Sequence, residues 1–327
     1  MIGYRHYIGI PRGWICRFAA LLACWVCLWF GALLSTAQAK QNTLIITGSD
    51  TLGGVVTAWT RAFQASHPDV AVEIQAAGSA AAPTALAEGT ANIGMMSRPM
   101  SDGELARFVA RRGHLPTAVA LGRDALVIIV AKDNPLSAID RTTVDRIWSS
   151  TRYCSGGTPI DNWAQVPGIT PADPVIGEPI EAVSRTSISG SYGFFKERAL
   201  CDGDLAPHVA QLQGFAAVVD MVASKATAIG YAGLGFVDER VKALSWLQPP
   251  LPPIVVSYAT ADAWDQYPLA RTVMFYLATA PDTKPGPLEC RFLSFIQQPV
   301  SQQILRDHGF IPLESPMTQG AAADGCR

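Results

Sequence analysis

Apolar positions along this chain recur with two periods. Residues 43–47 (TLIIT) form a short, nearly continuous apolar run of the kind a buried strand carries. Gly48-Ser49-Asp50-Thr51 interrupts it. Val56, Trp59 and Phe63 then recur three and four residues apart, which predicts a helix ending at His67-Pro68. Val70, Val72 and Ile74 alternate as a strand does, and Gly78-Ser79 ends that strand. Residues 83–88 predict a second helix closing on Gly89. Residues 91–96 predict a third strand, followed by Ser97-Arg98-Pro99. Strand, Gly/Ser turn and helix thus repeat, the pattern of a mostly parallel sheet with crossover helices.

The strongest strand signal is ALVIIVA, residues 125–131, which Asp133-Asn134-Pro135 stops. Residues 149–180 are rich in Gly, Pro, Ser and Thr and read as a long surface segment holding Cys154. A helix is expected to begin at 194–199 and a short strand at 226–231. Prolines between 249 and 253 break the chain before Ile254, Val255 and Val256. Residues 274–277 predict another strand. Residues 288–308 predict a helical stretch, with Leu288, Phe292, Phe295 and Ile296 at helical spacing. The last dozen residues read as a loose tail within reach of Cys326.

The N-terminus has a different texture. Arg5, Arg12 and Arg17 precede an uncharged, mostly apolar run over 18–34, and Ala37-Gln38-Ala39 follows. A basic region, an apolar region and an A-x-A site make a secretory signal peptide over 1–39. A membrane anchor is the other reading, because the apolar run approaches the ~18–20 residues a span needs; the A-x-A site favours cleavage near Ala39 and a periplasmic or extracellular product. Of 25 basic and 27 acidic residues, three basic and no acidic ones lie in the leader, so the remainder carries 22 against 27, a net charge of −5. That balance offers no basic stripe for nucleic acid, and an anion would have to be held by local donors against an unhelpful global field.

Seven cysteines are present, three of them (Cys16, Cys24, Cys27) in the leader. The remaining Cys154, Cys201, Cys290 and Cys326 are an even set in an exported chain, which reads as disulfides. Three pairings are open; chain order points to Cys154–Cys201 and Cys290–Cys326. No cysteine spacing resembles a zinc site, and neither a metal nor a cofactor is expected.

Three segments share one physical design: Gly48-Ser49-Asp50-Thr51, Gly78-Ser79 and Ser189-Gly190-Ser191. Each places glycine and small hydroxyl residues just before an expected helix, where backbone N–H groups are free and the helix dipole is positive. Such residues can simply cap the helix. Three of them, with Arg185 four residues before Ser189, point to a desolvated oxyanion instead. One helix terminus contributes ~0.3–2 kcal/mol, whereas micromolar affinity needs about −8 kcal/mol, so several turns must converge.

Residues 185–197 (RTSISGSYGFFKE) resemble the phosphate loop of the phosphate-binding component of phosphate ABC transporters, the PstS-like family. TGSDTL (47–52), AAGSAAA (76–82), ALAEGTANIGMMSRPM (85–100), AIGYAGLGFV (228–237) and SQQILRDHGFIPL (301–313) resemble further segments of it, so the resemblance covers nearly all of residues 43–313. It implies an α/β fold of the two-lobed periplasmic-binding-protein type II, each lobe a mostly parallel sheet flanked by helices, joined by crossover strands. Lobe I would take residues 40–122 and 258–327, and lobe II residues 123–257. The implied ligand is inorganic phosphate, donated to by Ser49, Thr51, the Leu52 backbone, Ser79, Arg185, Ser189, Gly190 and Ser191. The implied partner is the membrane permease of an ABC transporter, served by a monomer. Some members carry an aspartate after the third strand that accepts a hydrogen bond from protonated phosphate. Here Ser97 stands there, followed by Arg98, as in another branch of the family. Asp50 is then the candidate acceptor, its other reading being an N-cap. Arg98 either lines the site or pins the cleft rim through an ion pair.

Two other functions fit less of the chain. A phosphatase needs a nucleophile with a base, or a metal, and His6, His67, His114, His208 and His308 fall in no triad-like or metal-binding local spacing. A sensing or adhesion module of the same fold, or a binder of another oxyanion, would use the same helix-terminus logic. The expectation is capture rather than catalysis.

Overall fold

The computed structural model describes residues 42–313 and Cys326. The expected leader, its cleavage point and most of the C-terminal tail lie outside these residues. The N-terminal alternation folds as the two periods predict: β1 (Thr43–Gly48), α1 (Gly53–Ser66), β2 (Ala71–Gln75), α2 (Ala81–Glu88) and β3 (Ile93–Met96). β1 pairs in parallel with both β2 and β3. Val56, Trp59 and Phe63 are on the buried face of α1, and the Trp59 indole N–H donates to the Ser301 carbonyl at 2.8 Å. α3 (Asp102–Arg112) follows, opened by a Ser101/Glu104 capping box.

The next strand organises the molecule. β4 (Thr117–Ala131) is 15 residues long, twice the run that hydrophobicity alone marks. Its first part pairs antiparallel with β11 (Ala270–Leu277) over Thr117–Ala125. Its second part, Leu126–Val130, pairs antiparallel with β8 (Ala228–Gly233). The full order is β2-β1-β3-β11-β4-β8-β6-β7, with β6 at Glu181–Arg185 and β7 at Ala210–Leu212. Two further strands, β9 (Val241–Ala243) and β12 (Ile311–Pro312), also pair with β4. A small second sheet joins β5 (Ala138–Asp140) to β10 (Ser245–Leu247).

Two large cores flank this shared strand. One gathers Leu44, Ile46, Trp59, Phe63, Val119, Phe275 and Phe292. The other gathers Leu126–Val130, Trp148, Trp163, Val183, Phe195, Tyr231 and Trp264. Each deeply buried aromatic ring would cost ~3–5 kcal/mol if cut to alanine. The second core is closed by α4 (Arg141–Trp148), α5 (Gly190–Leu200) and α6 (Phe215–Ser224); the first by α1, α7 (Pro287–Ile296) and α8 (Pro299–Asp307).

Two expectations need correction. Residues 149–180 hold no regular element beyond a single 3-10 turn at Trp163–Gln165 and run mostly over the surface, but not throughout. Ile160, Trp163, Val166 and Val175 are buried in the second core, and Trp163 donates its indole N–H to the Thr227 carbonyl at 3.0 Å. Sparse apolar residues among turn formers plug the core one at a time, so no periodicity announces them. The stretch 288–308 is two helices rather than one. Pro299 has no N–H to continue α7 and forces Gln298 into extended backbone (ψ 151°), starting α8 as its first residue.

The disulfides are Cys154–Cys201 and Cys290–Cys326. The first staples the irregular segment to the end of α5. The second ties α7 to the C-terminal tail.

Candidate functional site

The three glycine–hydroxyl turns meet where the two cores face each other. Capping explains only one of them. The N-cap residues of α1 and α2 are Leu52 and Ala80, and neither receives a side-chain cap. Only Ser189 caps, its Oγ accepting from the Ser191 N–H at 3.2 Å. The backbone of the first turn is pinned to β3 by Ser49 N–H donating to the Met95 carbonyl at 2.7 Å. Gly48 has φ 137°, and a Cβ there would meet the Met95 oxygen at 2.1 Å, so glycine is required.

Contacts across the interface are direct. Thr51 Oγ1 lies 3.2 Å from Ser191 Oγ. Ala80 N–H donates to the Ile188 carbonyl at 3.3 Å. A Cβ on Gly190 would fall 2.2 Å from Ser79 Oγ and 2.6 Å from Ser97 Oγ, so the α5 terminus is packed backbone-first onto those two hydroxyls. Ser79 Oγ accepts from the Ser97 N–H at 3.1 Å and sits 3.3 Å from Ser97 Oγ. Ser49, Leu52, Ser79, Ser97 and Ser191 are completely buried, and Thr51 and Ser189 nearly so.

Arg185 ends β6 and is fully buried. Its guanidinium lies over the Phe215 ring, 4.5 Å from the centroid. Nε donates to the Leu212 carbonyl at 3.2 Å, and the backbone N–H donates to Tyr231 Oη at 3.2 Å. Tyr231 is itself stacked on Phe195 with centroids 4.0 Å apart and shares a hydrogen bond with Ser184. Nη2 forms an ion pair with Asp50 Oδ2. Burial pushes the Arg185 pKa down from its ordinary value while Asp50 works to hold it up; an arginine remains charged near neutral pH.

Three buried atoms here have no hydrogen-bond partner among the described residues: Arg185 Nη1, Ser49 Oγ and Asp50 Oδ1. Buried polar atoms are normally satisfied, and leaving one unpaired costs ~1–3 kcal/mol. Two donors and one acceptor are thus left open on Arg185, Ser49 and Asp50.

Arg98 is placed differently. It holds Glu104 through two bonds of 2.7 and 2.8 Å and also donates to the Pro99 carbonyl. Its guanidinium is thus engaged within its own side of the cleft. Burial works to raise the Glu104 pKa, but the Arg98 bonds and the Ser101 N–H outweigh it, and the carboxyl sits below its ordinary value.

Two residues escaped the sequence reading. Arg271 on β11 stands opposite Asp124 on β4 in the strand register. Its Nε and Nη2 donate to Asp124 Oδ2 at 2.9 and 2.6 Å, and Nη1 donates to Ser191 Oγ at 2.9 Å. Both side chains are buried. A charge standing in each of two strongly apolar strands was the available signal; their pairing depends on register that no local pattern carries.

Comparison with known proteins identifies the family and the fold. A family model described as the PBP superfamily domain matches residues 35–299. The phosphate-binding protein PstS of Pseudomonas aeruginosa is 38% identical over 285 residues, 87% of either chain. The chain belongs to the PstS family. A substrate-binding protein from Clostridium perfringens, solved with bound phosphate, superposes with a TM-score of 0.67 at 23% identity, covering 84% of this chain and 100% of that one. An ABC-type phosphate transport receptor from Vibrio cholerae gives 0.63 at 22% identity, covering 83% and 100%. The fold shared with both is that of periplasmic binding proteins, as the strand-turn-helix pattern and the motif resemblance implied.

Proposed function

We propose that this protein captures inorganic phosphate between its two lobes and delivers it to the permease of an ABC transporter. The observation that carries the reading is the unpaired trio of Arg185 Nη1, Ser49 Oγ and Asp50 Oδ1. Phosphate near neutral pH carries at least one proton, so it can accept from the arginine and serine and donate to the aspartate. Sulfate carries none and would face a carboxylate it cannot satisfy. The buried hydroxyls of Thr51, Ser79, Ser97 and Ser191, with the N–H groups opening α1 and α5, would supply the further donors. Asp50 takes the acceptor role that an aspartate after β3 takes elsewhere in the family.

Lobe I then takes residues 40–122 and 258–327 and lobe II residues 123–257; the change of core along β4 between Leu121 and Ala125 supports the first boundary, while Trp264, Tyr267 and Leu269 in the second core favour a return nearer Ala270. Closure then moves one core against the other around two crossing strands. The basic leader with its A-x-A site and the two disulfides support export to an oxidising compartment. No catalytic step is assigned to any residue. The test is calorimetric titration of protein stripped of ligand by unfolding and refolding. Phosphate is expected to bind at micromolar concentration or tighter, ~100-fold more tightly than sulfate or molybdate. Equal affinities for phosphate and sulfate, or no binding of phosphate, would overturn the reading.

A further inference from the structure

We infer that Arg271, held by Asp124, is a positioning residue that orients the Ser191 hydroxyl as a donor to the bound anion; the inference rests on the phosphate reading above. A serine hydroxyl has one hydrogen and two lone pairs, and it rotates freely unless a neighbour fixes it. Facing an anion, the same group attracts through its hydrogen or repels through a lone pair. Arg271 Nη1 donates into Ser191 Oγ at 2.9 Å and so occupies a lone pair. The hydrogen of Ser191 is left for the ligand directly or for Thr51 Oγ1, 3.2 Å away, which then turns its own hydrogen to the ligand. In both arrangements the guanidinium sets the direction of donation without touching the anion.

The surroundings of Arg271 support this role over a purely structural one. Its side chain is fully buried and that of Asp124 is 3% exposed. A buried ion pair is often no more stabilising than apolar residues of the same volume, and the neighbours Leu121, Ala125 and Val273 are apolar and buried. Two of the guanidinium nitrogens are spent on Asp124, and the third is directed at Ser191. The guanidinium carbon also lies 5.7 Å from the ring centroid of Phe194, on the helix that carries Ser191.

A double-mutant cycle on the full chain separates these roles. Phosphate affinity is measured by calorimetry for ligand-stripped wild type, Ser191→Ala, Arg271→Met and the combination. Arg271→Met is expected to weaken phosphate about tenfold when Ser191 is present and no more than about twofold in the Ser191→Ala background, the coupling expected of contacting groups. Equal losses in both backgrounds would overturn the inference, because Arg271 would then act independently of Ser191. Arg271→Met leaves Asp124 buried without its partner and can compromise folding, so the cycle is repeated with the charge-neutral pair Asp124→Asn/Arg271→Gln, with the same expectation and the same contrary result. Failure of wild type to bind phosphate would remove the functional reading and this inference together, whereas tight wild-type binding with an additive cycle would remove the inference alone.

Discussion

Two of the arginine–carboxylate pairs at the cleft, Arg98–Glu104 and Arg185–Asp50, differ in what the protein leaves undone. Arg98 and Glu104 are 6 residues apart, across one turn and the start of α3, and each finds its partners locally. Arg98 donates to both Glu104 oxygens and to Pro99, and Glu104 also closes the capping box of α3. Arg185 and Asp50 are 135 residues apart and come from different cores. Each keeps one buried atom unpaired, Nη1 on the arginine and Oδ1 on the aspartate. A pair that stabilises a fold tends to be hydrogen-bond complete, since an orphaned buried group costs ~1–3 kcal/mol. A pair that awaits a ligand retains the atoms the ligand will use. Completeness, more than charge, separates the Arg98–Glu104 pair from the Arg185–Asp50 pair.

Removing Arg185 should break the comparison most visibly. Arg185→Met is expected to weaken phosphate binding by about 100-fold or more, since truncating one partner of a buried charged pair costs ~3–5 kcal/mol. Titration calorimetry reads this directly, and a loss under tenfold would place the ligand elsewhere. Asp50→Asn comes next. It keeps the volume but replaces an acceptor oxygen with a donor, so phosphate should weaken about tenfold while sulfate binding is unchanged or improved. Unaltered selectivity between the two anions would show that Asp50 does not receive the phosphate proton.

The complete pair yields the smallest effect. Glu104→Gln should leave phosphate affinity within about twofold while lowering unfolding free energy by ~1 kcal/mol at pH 7, the scale of a lost cap or a partly exposed ion pair. The Glu104 carboxyl titrates below its ordinary value of 4.5 in the folded protein. Its contribution is therefore full above about pH 4.5 and lost as pH falls through the lower folded value. Urea unfolding at pH 7 and at pH 3.5 should show the gap between wild type and variant closing in acid. A gap as wide at pH 3.5 as at pH 7 would mean that the charge of Glu104 is not what stabilises α3.

Local signals were legible where one element decides its own conformation. The buried face of α1, the Gly89 stop of α2, the alternation at β2 and the disulfide order all follow from short stretches. The Ser101-x-x-Glu104 capping box and the Asp140 cap of α4 were equally local signals for helices that hydrophobic spacing alone did not mark. The doubled length of β4 was not legible, because Thr117–Arg123 interleaves polar and small residues whose strand state is set by β11 beside them.

By itself, the chain's sequence determined its family, its strand-turn-helix rhythm, and the three turns and the arginine of the proposed site. Those depend on residue types at short spacing, on glycine conformations and on the capacity of small hydroxyls to donate. The tertiary structure alone decided which polar groups are satisfied. It turned Arg98 onto Glu104, brought Asp50 to Arg185, and set Arg271 between Asp124 and Ser191. Hydrogen-bond satisfaction is a property of atoms brought together from distant segments, and only the packed chain determines which of them remain open to a ligand.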